Sequence, residues 1–232
     1  MPHSHAHALK QSRADLRLYV LVDPSVAGAR DLAVLARQAA EGGSTLIQLR
    51  DKTSDTRAYI ARARALREAL AASGVPFVVN DRVDVALAAG ADGVHLGQED
   101  MHATDARRLL GPDAVIGLTI KNLDHVAAAP LDVVDYLAVG GVFETTSKDN
   151  PDAPVGLDGL REIIAAIRAR GFAGQVCAIA GITAERVPGV IAAGADGVCV
   201  VSAVISQIEP MQAARSLRAL VDASLRKRGT RA

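Results

Sequence analysis

The feature that most limits what this chain can fold into is a regular alternation of short apolar runs with longer amphipathic segments, beginning at Leu18. The short runs have the character of buried parallel strands, and the longer segments have the period of helices. The predicted strands are Leu18–Val22, Thr45–Leu49, Pro76–Val79, Gly93–Leu96, Ala114–Leu118, Tyr136–Val139, Gln175–Ile179 and Gly197–Val201. Eight strands joined by helical crossovers in 232 residues predict an α/β fold, a closed (β/α)8 TIM barrel in a single domain.

The helices predicted between these strands end near glycines, which commonly terminate helices. They span Asp31–Glu41, Thr56–Ala72, Val83–Ala89, Ala103–Leu110, His125–Ala129, Leu157–Arg170, Ala184–Ala193 and Pro210–Arg226. We expect residues 16–225 to form the catalytic barrel, after a flexible tail over residues 1–15 and before a basic tail over residues 226–232. For His3, His5 and His7 in the first tail, a mobile polar segment is favoured over a metal site.

An internal repeat supports the barrel. The sequence AAGADGV occurs at residues 88–94 and again at residues 192–198, as expected for two related half-barrels. An open doubly wound sheet is the alternative, but that fold usually has a glycine-rich nucleotide loop after its first strand. Here the first strand is followed by Asp23, Pro24 and Ser25 instead.

Composition argues against several classes of partner. Basic and acidic residues number 26 each and only 3% of residues are aromatic, so we expect neither nucleic-acid binding nor attraction to an anionic membrane. No apolar stretch approaches the roughly 20 residues that span a bilayer, and residues 1–10 lack a signal-peptide core. Cys177 and Cys199 stand in apolar runs and are predicted to be buried, reduced thiols. These features favour a cytoplasmic enzyme and leave a homo-oligomer open.

Polar residues gather at the strand ends, where a barrel enzyme has its active site. Lysine is rare in this chain, yet Lys52, Lys121 and Lys148 all come just after predicted strands. Because a compact ammonium binds phosphate as a point charge, these lysines predict an anionic substrate. Gly181 and Ser202 follow strands seven and eight, the usual phosphate position of barrels, although ordinary tight turns explain them equally well.

Two aspartates follow neighbouring predicted strands. Asp81 comes after strand three and Asp100 after strand four, so both can reach one point above the barrel. Paired carboxylates near lysines are typical of a Mg2+ site that substrate phosphates complete, although either aspartate alone could cap a helix. His95, inside strand four, is interpreted as an interior histidine rather than a catalyst.

Together these strand-end motifs resemble those of the thiamine-phosphate synthase (thiamine-phosphate pyrophosphorylase) family. The matching motifs are Gln48-Leu49-Arg50-Asp51-Lys52, Asn80-Asp81, Gly93-Val94-His95-Leu96-Gly97-Gln98-Glu99-Asp100, Thr145-Thr146-Ser147-Lys148, and Gly194-Ala195-Asp196-Gly197 through Val201-Ser202-Ala203. They occur in family order from about Leu18 to Ile205, nearly the whole chain apart from its tails.

The resemblance implies a Mg2+-dependent transferase of thiamine biosynthesis. Such an enzyme joins 4-amino-2-methyl-5-(diphosphomethyl)pyrimidine to a thiazole phosphate, giving thiamine phosphate and diphosphate. The family is thought to pass through a pyrimidine carbocation that the thiazole nitrogen captures. Since that nitrogen carries no proton to remove, the site needs charge stabilisation of the leaving group and positioning of the nucleophile more than a general base.

The resemblance also implies a role for each matching residue. The pyrimidine diphosphate would be held by Gln48, Leu49, Arg50, Asp51, Lys52 and Asn80, with Thr119 and Lys148 touching the same substrate. Mg2+ would be held by Asp81 and Asp100, and the thiazole phosphate by Thr145, Thr146, Ser147, Gly181, Val201 and Ser202. Lys52, Lys148 and Thr119 are the predicted catalytic residues.

Three positions depart from the family pattern. Ser147 stands where many members have threonine, which keeps the hydroxyl, and Ala180 replaces a glycine commonly found before Gly181. Ile120-Lys121-Asn122 replaces a more usual stretch of small polar residues and histidine. We expect Ala180 to narrow access to the phosphate, and Lys121 to add a charge contact to the diphosphate or to be a solvated loop lysine.

Three other functions compete with the synthase. A thiazole tautomerase or regulatory barrel of the same superfamily would share the fold and the thiazole-phosphate pocket, but would not need Asp81, Asp100, Lys52 or Lys148. A sugar-phosphate isomerase would need an acid–base pair, for which Glu99 and His95 are the candidates. A purely structural role is disfavoured because a polar catalytic face would cost stability without return.

Overall fold

The computed structural model describes residues 14–145 and 153–230, and their strands form one closed parallel barrel in sequential order. Each strand pairs with the next, and β8 pairs with β1. The strands are β1 Leu18–Val22, β2 Leu46–Leu49, β3 Phe77–Asn80, β4 Gly93–Leu96, β5 Val115–Ile120, β6 Tyr136–Val139, β7 Gln175–Ile179 and β8 Gly197–Val200. The predicted (β/α)8 barrel is confirmed.

Helices surround the barrel. They are α1 Pro24–Ala27, α2 Leu32–Glu41, α3 Thr56–Leu70, α4 Val83–Ala89, α5 Ala103–Leu110, α6 Leu123–Ala128, α7 Gly156–Ala169, α8 Val187–Ala192, α9 Ser202–Ile205 and α10 Pro210–Gly229, with a 3-10 turn at Ala184–Arg186 before α8. Two short ones, α1 and α9, come in addition to the predicted helices. No helix within the described ranges is both long and apolar enough to cross a membrane.

The boundaries of the predicted tails are corrected at both ends. Ala14 is completely buried, so the packed part of the chain includes part of the predicted N-terminal tail. At the other end α10 continues to Gly229, whereas a basic tail was expected from residue 226. Arg228 holds this last turn against the barrel by donating to the carbonyl oxygen of Ala195 at 2.7 Å and to Asp196 at 3.2 Å.

Alternate residues of each strand face two different cores. On β2, Ile47 and Leu49 pack outward against the helices, whereas Leu46 lies in the cluster that fills the barrel. That interior cluster also contains Tyr19 and Tyr136, both almost completely buried. The barrel is therefore a packed core whose polar interior side chains lie near its carboxyl end.

The repeated sequence AAGADGV has a physical reason. Asp92 and Asp196 each accept a hydrogen bond from the backbone N–H of a neighbouring strand, from Phe77 at 2.7 Å and from Val176 at 2.9 Å. The glycine that follows each aspartate, Gly93 or Gly197, has no room for a side chain, because a Cβ there would collide with a neighbouring carbonyl oxygen. The repeat thus joins strands at the amino end of the barrel, away from the predicted site.

Candidate active site

A cavity of about 170 Å³ opens among the carboxyl ends of the strands. Eight of the predicted substrate-binding residues line it: Gln48, Arg50, Asn80, Thr119, Thr145, Gly181, Val201 and Ser202. Lys121, whose role was left between two alternatives, lines it as well. Residues scattered from β2 to β8 in sequence therefore meet at one place, as the barrel topology requires.

The floor of the cavity is a cluster of buried polar side chains. Gln48 donates through Nε2 to the hydroxyl of Tyr19, which lies 2.9 Å from the hydroxyl of Tyr136. The ring of His95 bonds through Nδ1 to Tyr136 at 3.0 Å and through Nε2 to Thr119 Oγ1 at 2.8 Å. His95 is thus a hydrogen-bonded interior histidine, as predicted, but it also borders the cavity.

Arg50 is held in the wall of the cavity by a buried carboxylate. Its guanidinium forms an ion pair with Asp23, and the two side chains are only 15% and 4% exposed. Asp23 also accepts from the backbone N–H of Ser25 at 2.9 Å and so caps α1. The pair joins the ends of β1 and β2, a contact between residues distant in sequence that no local pattern predicts.

Asp81, Asp100 and Lys52 form a second polar group near the strand ends. The ammonium of Lys52 pairs with Asp81, and Asp100 accepts from the backbone N–H of Gly97 at 2.7 Å. Burial and the hydrogen bond with Asp81 raise the pKa of Asp100. The backbone of Asp81 has φ 62°, a left-handed conformation that aspartate tolerates better than most residues. The two carboxylates are therefore brought together, as predicted.

This group fits a magnesium ion that takes most of its ligands from a substrate. Two facing carboxylates repel each other, and a divalent cation between them would relieve that repulsion. Among the described residues, no group of three or more histidine, cysteine, aspartate or glutamate side chains could hold a metal by itself. Because Mg2+ is octahedrally coordinated, two carboxylates such as Asp81 and Asp100 would leave coordination positions for phosphate oxygens.

Three predicted substrate ligands within the described residues do not line the cavity: Leu49, Asp51 and Lys52, of which Lys52 pairs with Asp81. The side chain of Leu49 is buried among the outward-facing core residues. Asp51 accepts from Arg62 and from the backbone N–H groups of Thr53 at 3.1 Å and Ser54 at 3.0 Å. Burial by itself would raise the pKa of Asp51, but these hydrogen bonds outweigh it and lower the pKa. Asp51 therefore shapes the loop that carries Lys52.

The far wall of the cavity is formed by the ends of β7 and β8. Gly181 has φ 63°, and a Cβ there would collide with the carbonyl oxygen of Glu144, so this position requires glycine. Arg186 donates to the carbonyl oxygen of Gly181 at 2.5 Å, and its guanidinium lies 4.3 Å from the ring centroid of Phe143. Arg186 thereby ties the loop after β7 to the loop after β6.

Ala180 occupies a conformation that favours glycine, with φ 91°. We expect Ala180→Gly to raise the free energy of unfolding by about 0.5 to 1 kcal/mol, because it removes left-handed strain. The matched control is Ala178→Gly, two residues earlier in β7, which should destabilise the protein because that strand position has no positive φ. Denaturant titration measures the free energy of unfolding of both variants. An equal loss of this free energy in the two variants would contradict backbone strain at Ala180.

The two cysteines are expected to take no part in the chemistry. Cys177 and Cys199 are unpaired and buried, and burial raises the pKa of both thiols. We expect the double change to serine to lower thermal stability through lost packing while leaving the rate per folded molecule nearly normal. Cys199 borders the cavity. Loss of activity in the folded double serine variant would contradict the structural role, whereas inactivation by alkylation alone would be explained by the added bulk in the cavity.

Several predicted positions lie outside the described residues. They are Thr146, Ser147 and Lys148 of the predicted site, and His3, His5 and His7 of the N-terminal tail.

Comparison with known proteins agrees with this geometry. A family model described as thiamine monophosphate synthase matches residues 18–204. The thiamine-phosphate synthase of Agrobacterium fabrum is 51% identical over 217 residues, which cover 94% of this chain and 99% of that protein. The corresponding protein of Moorella thermoacetica is 45% identical over 204 residues, covering 88% of this chain and 95% of that protein.

A solved structure extends the similarity to the fold. The thiamine phosphate pyrophosphorylase from Pyrococcus furiosus superposes with a TM-score of 0.79 at 35% sequence identity, covering 93% of this chain and all of that chain. The chain therefore belongs to the thiamine-phosphate synthase family of transferases.

Proposed function

We propose that this cavity joins 4-amino-2-methyl-5-(diphosphomethyl)pyrimidine to a thiazole phosphate, releasing diphosphate and forming thiamine phosphate. The proposal rests on the arrangement of polar residues around the cavity. Gln48, Arg50 and Asn80 line the cavity at the ends of β2 and β3, and Gly181 and Ser202 line it at the ends of β7 and β8, with the group Lys52, Asp81 and Asp100 nearby. A site with two anion-binding regions suits a reaction between two phosphorylated substrates.

One set of cavity residues is assigned to the pyrimidine diphosphate. Gln48 and Asn80 would hold the pyrimidine, while Arg50 and Lys52 would bind the diphosphate, whose negative charge grows as its bond to the CH2 group breaks. Thr119 would touch the pyrimidine from β5. In this assignment the side chain of Leu49 packs in the core, and the carboxylate of Asp51 acts through the loop that it supports rather than through direct contact.

The second substrate is assigned to the other set of cavity residues. Thr145, Gly181, Val201 and Ser202 would hold the thiazole phosphate, together with Thr146 and Ser147. By the same family correspondence, Lys148 would contact the pyrimidine substrate and act with Lys52 in catalysis. Because the thiazole nitrogen has no proton to lose, this arrangement needs to align the nucleophile with the CH2 carbon and does not need a general base.

Asp81 and Asp100 are the residues proposed to hold Mg2+. When bound, the ion supplies positive charge to the oxygens of the departing diphosphate. The chain itself supplies the two carboxylates and keeps Lys52 beside Asp81, so the ammonium can turn toward the diphosphate. The same pair of carboxylates separates this proposal from a thiazole tautomerase, which has no diphosphate to release.

The direct test is incubation of the protein with both phosphorylated substrates and Mg2+. We expect thiamine phosphate and diphosphate in equal amounts, and neither product when one substrate is omitted. Chromatography of both products measures this ratio. Conversion of a thiazole compound without release of diphosphate would contradict the synthase and favour the tautomerase.

Lys121 provides a test of the diphosphate wall. It lines the cavity after β5, and we expect it to add a charge contact to the pyrimidine diphosphate. Lys121→Ala should lower the rate of coupling by roughly tenfold, or about 1.4 kcal/mol of transition-state stabilisation, while binding of the thiazole phosphate alone changes little. Steady-state kinetics at several ionic strengths measure the effect. Unchanged kinetics would show that Lys121 is a solvated loop residue.

A further inference from the structure

Five side chains in the barrel interior form a continuous array of hydrogen bonds. The array runs from Gln48 to Tyr19, from Tyr19 to Tyr136 over 2.9 Å, from Tyr136 to His95 over 3.0 Å and from His95 to Thr119 over 2.8 Å. Gln48, Tyr19, His95 and Thr119 border the cavity, whereas the central Tyr136 is completely buried and does not border it. The array thus connects two sides of the cavity through a residue that cannot touch a substrate.

The array has a direction, because each phenol has one proton to donate. Gln48 Nε2 donates to Tyr19, and if each following bond runs in the same sense, Tyr19 donates to Tyr136 and Tyr136 donates to Nδ1 of His95. The neutral imidazole then carries its proton on Nε2 and donates to Thr119, whose own proton is left to point elsewhere. Burial raises the pKa of Tyr19 and of Tyr136, which keeps both phenols protonated.

One atom of the array lacks a partner. Gln48 Oε1 is buried and accepts no hydrogen bond within the part of the chain that the structure describes. A buried carbonyl oxygen without a donor is costly, and Gln48 is only 1% exposed in the floor of the cavity. An N–H group of a bound molecule would satisfy it.

We propose that Tyr136 is a positioning residue that fixes the hydrogen-bonding roles of the two terminal side chains of this array. Gln48 Oε1 then faces the cavity as an acceptor, and the Thr119 hydroxyl faces it as a donor. If the amide of Gln48 were turned over, every bond would reverse, and Gln48 would become a donor and Thr119 an acceptor. The two ends therefore change together. This inference rests on the proposed function, because an aminopyrimidine offers an amino donor and ring-nitrogen acceptors that match the proposed direction.

The tautomer of His95 reports the direction without any substrate. In protein labelled with 15N-histidine, two-bond 1H–15N correlation distinguishes a ring protonated on Nε2 from one protonated on Nδ1, and the loss of signals in His95→Asn identifies the residue. We expect a single Nε2–H tautomer in the wild-type protein. A ring protonated on Nδ1 would overturn the proposed direction.

Tyr136→Phe removes the central hydroxyl. We expect the single tautomer of His95 to be replaced by a mixture of tautomers, because Nδ1 loses its donor. The matched control is Tyr59→Phe, which removes another buried hydroxyl, one bonded to the carbonyl oxygens of Leu49 at 3.0 Å and Asn80 at 3.1 Å. The control should keep the Nε2–H tautomer. An unchanged tautomer in Tyr136→Phe would contradict its positioning role.

Kinetics test the effect on the substrate. In Tyr136→Phe we expect KM for the pyrimidine diphosphate to rise about fivefold while KM for the thiazole phosphate changes less than about twofold. Equal changes in the two KM values, or none, would overturn the positioning role. If the wild-type protein shows no coupling, the proposed function fails. The tautomer measurement needs no substrate and still tests the direction of the hydrogen bonds in the array.

A second variant covers the case in which Tyr136→Phe does not fold. Tyr19→Phe disconnects Gln48 but leaves Tyr136 beside His95. We therefore expect it to retain the Nε2–H tautomer and to show the raised KM for the pyrimidine diphosphate. Loss of the tautomer together with an unchanged KM would contradict the array.

Discussion

Replacement of Asp81 or Asp100 by alanine is expected to lower the rate of coupling by roughly a hundredfold or more, which corresponds to about 2.7 kcal/mol of transition-state stabilisation. The reason is that the two facing carboxylates are the proposed ligands of Mg2+. The fold should survive, because a carboxylate removed near the strand ends seldom costs more than about 1 kcal/mol of stability. Turnover at saturating Mg2+ and circular dichroism together measure the two effects.

The matched control is Asp84→Ala, three residues after Asp81. Asp84 is exposed and pairs with Arg82, so its loss should leave the coupling rate close to normal. Near-normal turnover in the double variant Asp81→Ala/Asp100→Ala after treatment with EDTA would contradict the metal assignment.

Arg50→Ala is expected to have a large effect on both activity and stability. The change removes the guanidinium that lines the cavity and leaves the buried Asp23 without its ion-pair partner. We expect kcat/KM to fall about a hundredfold, and the free energy of unfolding to fall by roughly 3 kcal/mol. Kinetics with limiting pyrimidine diphosphate and denaturant titration measure these losses.

Arg107→Ala separates the two effects of Arg50→Ala. Arg107 pairs with Asp135 at 2.6 Å, and the two side chains are 17% and 3% exposed, close to the values for Arg50 and Asp23. Asp135 precedes β6, at the amino end of the barrel, so we expect a similar loss of stability with little loss of activity per folded molecule. A comparable fall in kcat/KM in both variants would mean that Arg50 acts only through stability.

The regular elements could be predicted because their signals are local and periodic. β1, β4, β6 and β7 have the predicted bounds, since each is an apolar run with a polar residue or glycine within two residues of its end. The helices α1 and α9 were missed because four residues are too few to show a helical period. The end of α10 was missed because Arg228 is held by Asp196 and Ala195, contacts that only the folded chain creates.

The site was predictable as a set of strand ends but not as a set of contacts. A motif such as Gln48–Lys52 shows that its residues lie together, yet alternation along β2 turns Gln48 inward and Leu49 outward. Asp51 of that motif could not be distinguished from a substrate ligand in the sequence. Its hydrogen bonds to the backbone of the following loop form only in the turn that the loop adopts. Tyr19 was missed although its alternate position on β1 places it inside the barrel.

The most direct test of the account is a crystal structure of the protein with thiamine phosphate, diphosphate and Mg2+ bound. We predict the phosphate of thiamine phosphate beside Gly181 and Ser202, the aminopyrimidine amino group at Gln48 Oε1, and the metal between Asp81 and Asp100. Density for these ligands in the groove at the amino end of the barrel, where Arg64 and Arg67 lie, would contradict the assignment of the cavity as the active site.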